Sequence, residues 1–230
     1  MPQGPRHRPN PTLPIIRRMP IRKNAGRALP TAAILIAAFA GGLGLWLGAR
    51  VFNPPAPVMT ALTAYPAPRD IAEFSLTRAS GQLLTRNDFK GHWSLVFFGF
   101  THCPDICPGT LGTLKQVHAG LKAAQVGDRV SVYFISVDPQ RDTPEVLGKY
   151  TGFFSPDFIA ATGNDEELTR LIRSLGLLYA RPDNGKGGYD VEHSGRIATL
   201  NPQGQLVGVF TPPFDVAAIT ADLQALAKTP

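Results

Sequence analysis

The sequence predicts an α/β domain, a mixed central sheet flanked by helices, joined to one membrane-spanning helix. Three observations predict it. Residues 92–100 and 129–137 are near-continuous apolar runs, as strands buried on both faces are. Segments with helical spacing of apolar residues follow them, the pattern of parallel β-α-β units. Thr31–Ala49 is nineteen residues long and uncharged, close to the length that crosses a bilayer as a helix.

The chain is divided by charge. Residues 1–50 carry eight Lys or Arg and no acid, while 51–230 hold the other fifteen bases and all seventeen acids. The net charge of +6 therefore belongs to a basic tail over 1–30. The larger part is mildly acidic, which sets aside nucleic acid as a partner. Arg17, Arg18, Arg22, Lys23 and Arg27 precede the apolar stretch and Arg50 follows it. By the positive-inside rule the N-terminus lies in the cytoplasm and the rest across the membrane. A cleaved signal peptide is the competing reading, but the apolar run exceeds an ordinary h-region and ends poorly for cleavage. The expected organisation is a cytoplasmic tail over 1–30, an anchor over 31–49, a Pro-rich extended spacer over 50–72, and one domain over 73–230.

Within that domain, 73–77 alternates and 82–85 returns after a turn, an N-terminal hairpin. The strand at 92–100 leads through a loop to a helix near Gly109, with Leu111, Leu114, Val117 and Leu121 on one face. After the strand at 129–137, Thr143 and Pro144 mark a helix start as N-cap and first position. A short strand over 158–161 and a helix over 165–175 follow. Residues 179–190 are rich in turn formers and are expected to be a flexible loop. A second hairpin, 195–200 with 205–210, and an amphipathic helix over 214–227 close the chain. In such sheets ligands bind beyond the carboxyl ends of strands. The order is the thioredoxin-like arrangement, with Cys103 at a strand end.

The chemistry concentrates at Thr101-His102-Cys103-Pro104-Asp105-Ile106-Cys107-Pro108, which holds both cysteines of the chain. Two thiols four residues apart on a strand-to-helix loop can close a disulfide or hold a soft metal ion. Cys107 at a helix N-terminus is expected to have a lowered pKa. Of the five histidines, His7 is in the tail, and His92 and His118 read as surface or core residues. His102 adjoins Cys103 but points the other way on an extended chain, so it supports the site at most. His193 ends the flexible loop, and in a thioredoxin-like fold that loop comes near the cysteines. Two thiolates and an imidazole suit copper in either oxidation state, whereas zinc normally takes a fourth ligand. Asp138 and Asp142, at the end of the second long strand, can act as acid/base or orienting groups, or serve only as turn and cap residues.

These residues resemble the Sco/SenC family of copper-binding assembly factors for cytochrome c oxidase. The resemblance rests on Phe98 to Pro108 with its Cys-x-x-x-Cys-Pro, on Ser136-Val137-Asp138-Pro139-Gln140-Arg141-Asp142-Thr143-Pro144, on His193-Ser194, and on the anchor with an outer domain. It implies that Cys103, Cys107 and His193 ligate copper and that Asp138 belongs to a copper-handling motif. It implies delivery of copper, or of electrons, to the dinuclear copper centre of oxidase subunit II. A second periplasmic copper chaperone or a thiol reductant is then a further partner. Asn201 stands where many members have Asp, at a turn. The expected location is a bacterial inner membrane with the domain in the periplasm, or else the mitochondrial inner membrane facing the intermembrane space. The competing function is a membrane-anchored thiol–disulfide oxidoreductase. The three residues between the cysteines, against two in thioredoxins, count against it. A peroxidase shares the fold, but no peroxide-activating signature is present.

Overall fold

The computed structural model describes residues 31–52, 59–185 and 188–228. The expected basic tail, and residues 53–58 of the expected spacer, lie outside the described residues. The chain divides into two units, Met1–Pro55 and Ala56–Pro230. In the first, α1 (Thr31–Phe52) contains the whole apolar stretch Thr31–Ala49. Leu35, Phe39 and Leu45 stand exposed on it. A helix apolar all round fits a membrane anchor.

The second unit is built on one eight-stranded sheet. Its strands are β1 (Leu62–Asp70), β2 (Ser75–Arg78), β3 (Leu83–Thr85), β4 (Trp93–Gly99), β5 (Val130–Ser136), β6 (Ile159–Thr162), β9 (Ile197–Leu200) and β10 (Gln205–Phe210). Two further short strands, β7 (Tyr179–Ala180) and β8 (Glu192–His193), form a separate ladder. The spatial order is β1-β10-β9-β4-β5-β6-β2-β3. β4, β5 and β6 run parallel, and the remaining pairs are antiparallel. The helices are α2 (Ile106–Ala123), α3 (Pro144–Phe154), α4 (Asp165–Ser174) and α5 (Val216–Lys228).

The apolar runs of β4 and β5 are buried on both faces, as their composition requires. Leu95, Phe97, Val132 and Phe134 face a core closed by Leu111, Leu114 and Leu121 of α2 and Ile219 and Leu223 of α5. Val96, Phe98, Tyr133 and Ile135 face the opposite core, with Phe89 and with Leu168, Leu171 and Ile172 of α4. Thr143 caps α3, its hydroxyl accepting from the Val146 N–H at 3.3 Å, with Pro144 in the first turn. The N-terminal hairpin is β2–β3, which joins the sheet beyond β6.

Two expectations are corrected. Residues 62–70, read as part of a spacer, are the edge strand β1, paired with β10. Prolines are tolerated at an edge, where missing N–H groups cost no ladder bond, and the register shifts between Ala64 and Arg69, around Pro66 and Pro68. The strand's entry is held by the buried Asp222 of α5. Its carboxylate accepts from the N–H groups of Thr60 (3.0 Å), Ala61 (2.8 Å) and Leu62 (2.8 Å). Gly208 lets the strands close: a Cβ there would lie 2.5 Å from the Thr63 carbonyl oxygen. The second correction concerns 179–190. Its turn composition belongs to the tip only, and the flanks pair as β7 and β8, with Tyr179 opposite His193.

Candidate metal centre

β4 ends at Gly99 and the chain turns through Cys103 into α2. The helix starts at Ile106, three residues before the position read from the periodicity, so Cys107 and Pro108 both lie in its first turn. Cys103 is half-buried and Cys107 fully buried. The Cys107 N–H donates to Cys103 Sγ at 3.4 Å, which turns the first sulfur toward the helix. Gly99 makes room for the second: a Cβ at that position would be 2.7 Å from Cys107 Sγ and 2.8 Å from the Phe134 ring.

His193 reaches these sulfurs from β8. Its Nε2 lies 3.4 Å from Cys107 Sγ, and its Nδ1 faces the Ser194 carbonyl at 3.2 Å. A proton on Nδ1 donates to that carbonyl and leaves the Nε2 lone pair aimed at the sulfurs, the tautomer a metal ligand needs. The rings of Phe97 and Phe100 meet the imidazole edge-on at 5.8 and 6.1 Å. Burial lowers the His193 pKa, opposed by the Ser194 carbonyl, so the ring is neutral at physiological pH. The two Sγ atoms and the imidazole nitrogen lie within 4.8 Å of one another.

The electrostatics of Cys107 differ from expectation. Burial pushes its thiol pKa well above the usual value, against a backbone contact at Phe100, and Cys103 and Asp142 add to the rise. Desolvation of the sulfur outweighs the helix N-terminus as a source of stabilisation. Without a cation Cys107 is a thiol, and the positive charge of a bound metal is what would draw off its proton.

The two aspartates at the end of β5 are fully buried. Asp142 braces the cysteine loop: its carboxylate accepts from the Thr101 N–H (2.9 Å), the Thr101 hydroxyl (2.5 Å) and the Ser136 hydroxyl (2.5 Å). Asp138 accepts from Arg141 Nε and from the Tyr189 hydroxyl. Neither carboxylate is among the three clustered donors. His102 is exposed, with Nδ1 3.1 Å from the Thr101 hydroxyl and 3.7 Å from Asp142, and it too stands outside the cluster. Sequence reasoning missed Arg141, Tyr189 and Tyr150. The buried Tyr150 hydroxyl has no hydrogen-bond partner among the described residues, and its pKa is raised by burial and then by the two cysteines. An aromatic set in the Gly-Gly-Tyr-Asp stretch, otherwise made of turn formers, was the one signal for Tyr189.

Sheet order, helices and the placement of both thiols at a strand-to-helix junction define a thioredoxin-like protein with a two-sulfur, one-nitrogen donor set. The chain belongs to the SCO1/SenC family, whose model matches residues 63–228. Among its relatives is the mitochondrial SCO2 homolog of Mus musculus, 37% identical over 182 residues, covering 78% of this chain and 71% of that protein. Copper-bound Arabidopsis thaliana ScoI is similar in structure, with a TM-score of 0.62 and 35% identity over 66% of this chain and 94% of that one. Copper-bound Bradyrhizobium japonicum ScoI has a TM-score of 0.62 and 32% identity, covering 68% of this chain and 99% of that one.

Proposed function

We propose that this chain binds one copper ion through Cys103, Cys107 and His193 and delivers it to the dinuclear copper centre of cytochrome c oxidase subunit II. The observation that carries the reading is the convergence of two sulfurs and a correctly presented Nε2 within 4.8 Å. Soft thiolates with an imidazole select copper over hard cations, and the copper-bound relatives support the same assignment. The hydrophobic walls given by Phe97, Phe100 and Phe134 limit water at the site. Copper here is cargo. Its capture requires both thiols to lose their protons, and loss of either thiolate weakens the hold. Asp138 and His102 support the site from outside the donor set. The anchor α1 would hold the domain on the outer face of a bacterial inner membrane, with the basic tail in the cytoplasm, or in the corresponding position in mitochondria. Another copper chaperone or a thiol reductant would supply the metal or keep the thiols reduced.

The second reading, maintenance of the partner's cysteines, is favoured by one observation: both thiols are free and adjacent, one of them accessible. In that reaction the Cys103 thiolate attacks a partner disulfide, and Cys107 resolves the mixed disulfide. The partner gains two thiols and this chain gains one disulfide. Anaerobic Cu(I) titration of the reduced full chain in detergent separates the two. Stoichiometric binding is expected, sharply weakened in His193→Ala to what the two sulfurs hold alone, while His193→Ala still reduces a small disulfide. Absence of binding that depends on Cys103, Cys107 and His193 would sink the copper reading.

A further inference from the structure

His193 does not sit on a free loop. It is near the base of a hairpin arm that continues beyond β7 and β8. Along the arm the Asp190 N–H donates to the Pro182 carbonyl at 2.9 Å, Asp183 stands opposite Tyr189, and the Asn184 N–H donates to the Gly188 carbonyl at 3.0 Å at the tip. The strand carrying Tyr179 is tied to α4, through the Tyr179 hydroxyl at 3.2 Å from the Thr169 hydroxyl and an ion pair of Arg181 with Asp165. The strand carrying His193 is tied elsewhere. The Tyr189 hydroxyl donates to Asp138 at the end of β5. Asp138 is held rigid in turn, fully buried, with its own N–H donating to the Ser136 hydroxyl at 3.1 Å.

Arg141 closes this cluster. Its guanidinium pairs with Asp138, lies 4.6 Å from the centre of the Tyr189 ring and reaches to 5.9 Å from the Phe100 ring. Phe100 is one of the two rings packed against the His193 imidazole. Tyr189 and His193 are four residues apart on one extended segment, a spacing that puts both side chains on the same face. The face of the arm turned toward the domain therefore has a tyrosine fastened at one end and the metal-facing imidazole at the other.

We propose that Tyr189, gripped by Asp138 and Arg141, is a latch that positions His193 against Cys107 and so sets the metal affinity of the site without touching the metal. The proposal rests on the reading of Cys103, Cys107 and His193 as a copper site. It gives Asp138 a specific task, as the fixed end of the latch, and it adds Arg141 and Tyr189 as positioning residues. Unfastening Tyr189 frees the arm to carry the imidazole away from the sulfurs. It leaves the two thiols, whose loop is braced separately by Asp142, in place.

The test uses the full chain in detergent, reduced, with Cu(I) held in competition by a Cu(I) chelator. Tyr189→Phe removes the hydroxyl and keeps the ring. It is expected to weaken Cu(I) binding on the order of tenfold, as loss of an outer partner of a ligand does. Arg141→Lys keeps the charge, loses the planar stack, and is expected to weaken binding in the same direction. In a His193→Ala background both changes should fall to within about twofold, because the residue they act through is gone. Hydrogen exchange of the metal-free protein gives an independent readout. The Ser194 amide, which donates to the Leu178 carbonyl at 3.1 Å, should exchange faster in Tyr189→Phe while the amides of β4 and β5 do not change. Equal loss of affinity with and without His193 overturns the latch, as does an unchanged affinity or an unchanged Ser194 amide. A wild-type chain that binds no Cu(I) refutes the copper site itself, and the proposal with it. Wild-type binding with Tyr189→Phe indistinguishable from it refutes the latch alone.

Discussion

Gly99→Ala places one methyl group where the structure has no space for it. The new Cβ would lie 2.7 Å from Cys107 Sγ and 2.8 Å from Phe134 Cε2. Non-bonded carbon contacts are comfortable at about 3.5 Å or more, so roughly 0.7 Å must be absorbed. Neither neighbour yields easily. Phe134 is fully buried in the middle of β5, and Cys107 is buried in the first turn of α2. Overpacking of this kind typically costs about 1–3 kcal/mol. The β4–β5 ladder resists movement of the strand, so the adjustment falls largely on the sulfur. A displacement of several tenths of an ångström at one ligand atom should weaken Cu(I) binding on the order of tenfold. Thermal unfolding of the metal-free chain and chelator competition on the reduced chain measure the two effects. Gly99→Ala with wild-type melting and an affinity within about twofold of wild type would refute the claim that this glycine makes room for the sulfur.

Three further outcomes follow from the same geometry. Cys103 should react with iodoacetamide well before Cys107, because it is half-exposed while Cys107 is fully buried and held as a thiol; equal rates measured by mass spectrometry would contradict this. Asp222→Ala should destabilise the domain by about 2–3 kcal/mol, the range for losing hydrogen bonds to a charged group and leaving the donors unpaired, and faster exchange of the Leu62 amide should accompany it. Burial acts to raise the Asp222 pKa, but the N–H groups of Thr60, Leu62 and Ala61 and the Thr60 hydroxyl outweigh it and hold the pKa below its usual value. That contribution is therefore present above the ordinary carboxylate pKa and is lost as the pH falls through the lower folded value, so wild type and Asp222→Ala should converge in stability under acid, and a gap that widens there would show the sign to be wrong.

Much of the fold was legible because it is written in short-range patterns. The two-faced burial of β4 and β5 follows from unbroken apolar runs, and the start of α3 from Thr143 and Pro144. The thiol pair was legible for the same reason: four residues on a strand-to-helix turn keep Cys103 and Cys107 together whatever surrounds them. The edge strand β1 was not, since its prolines imitate a spacer and only pairing with β10 and the Asp222 carboxylate make it part of the sheet. The arm at 179–193 misled similarly, because turn residues at its tip hide the pairing of its flanks.

By itself the sequence determined the kind of chain this is: an apolar helix long enough to cross a membrane, an α/β domain and two thiols at the end of a central strand. His193 entered from the sequence only through its place before the last hairpin and through the family resemblance; its contact with the thiols is a matter of tertiary structure. His193 meets Cys107 across 86 positions, and Tyr189 meets Asp138 across 51, separations over which no periodicity operates. The protonation of Cys107 was decided there too. A helix N-terminus predicts a lowered thiol pKa, but burial reverses the sign, and desolvation depends on everything packed around the sulfur rather than on its neighbours in the chain.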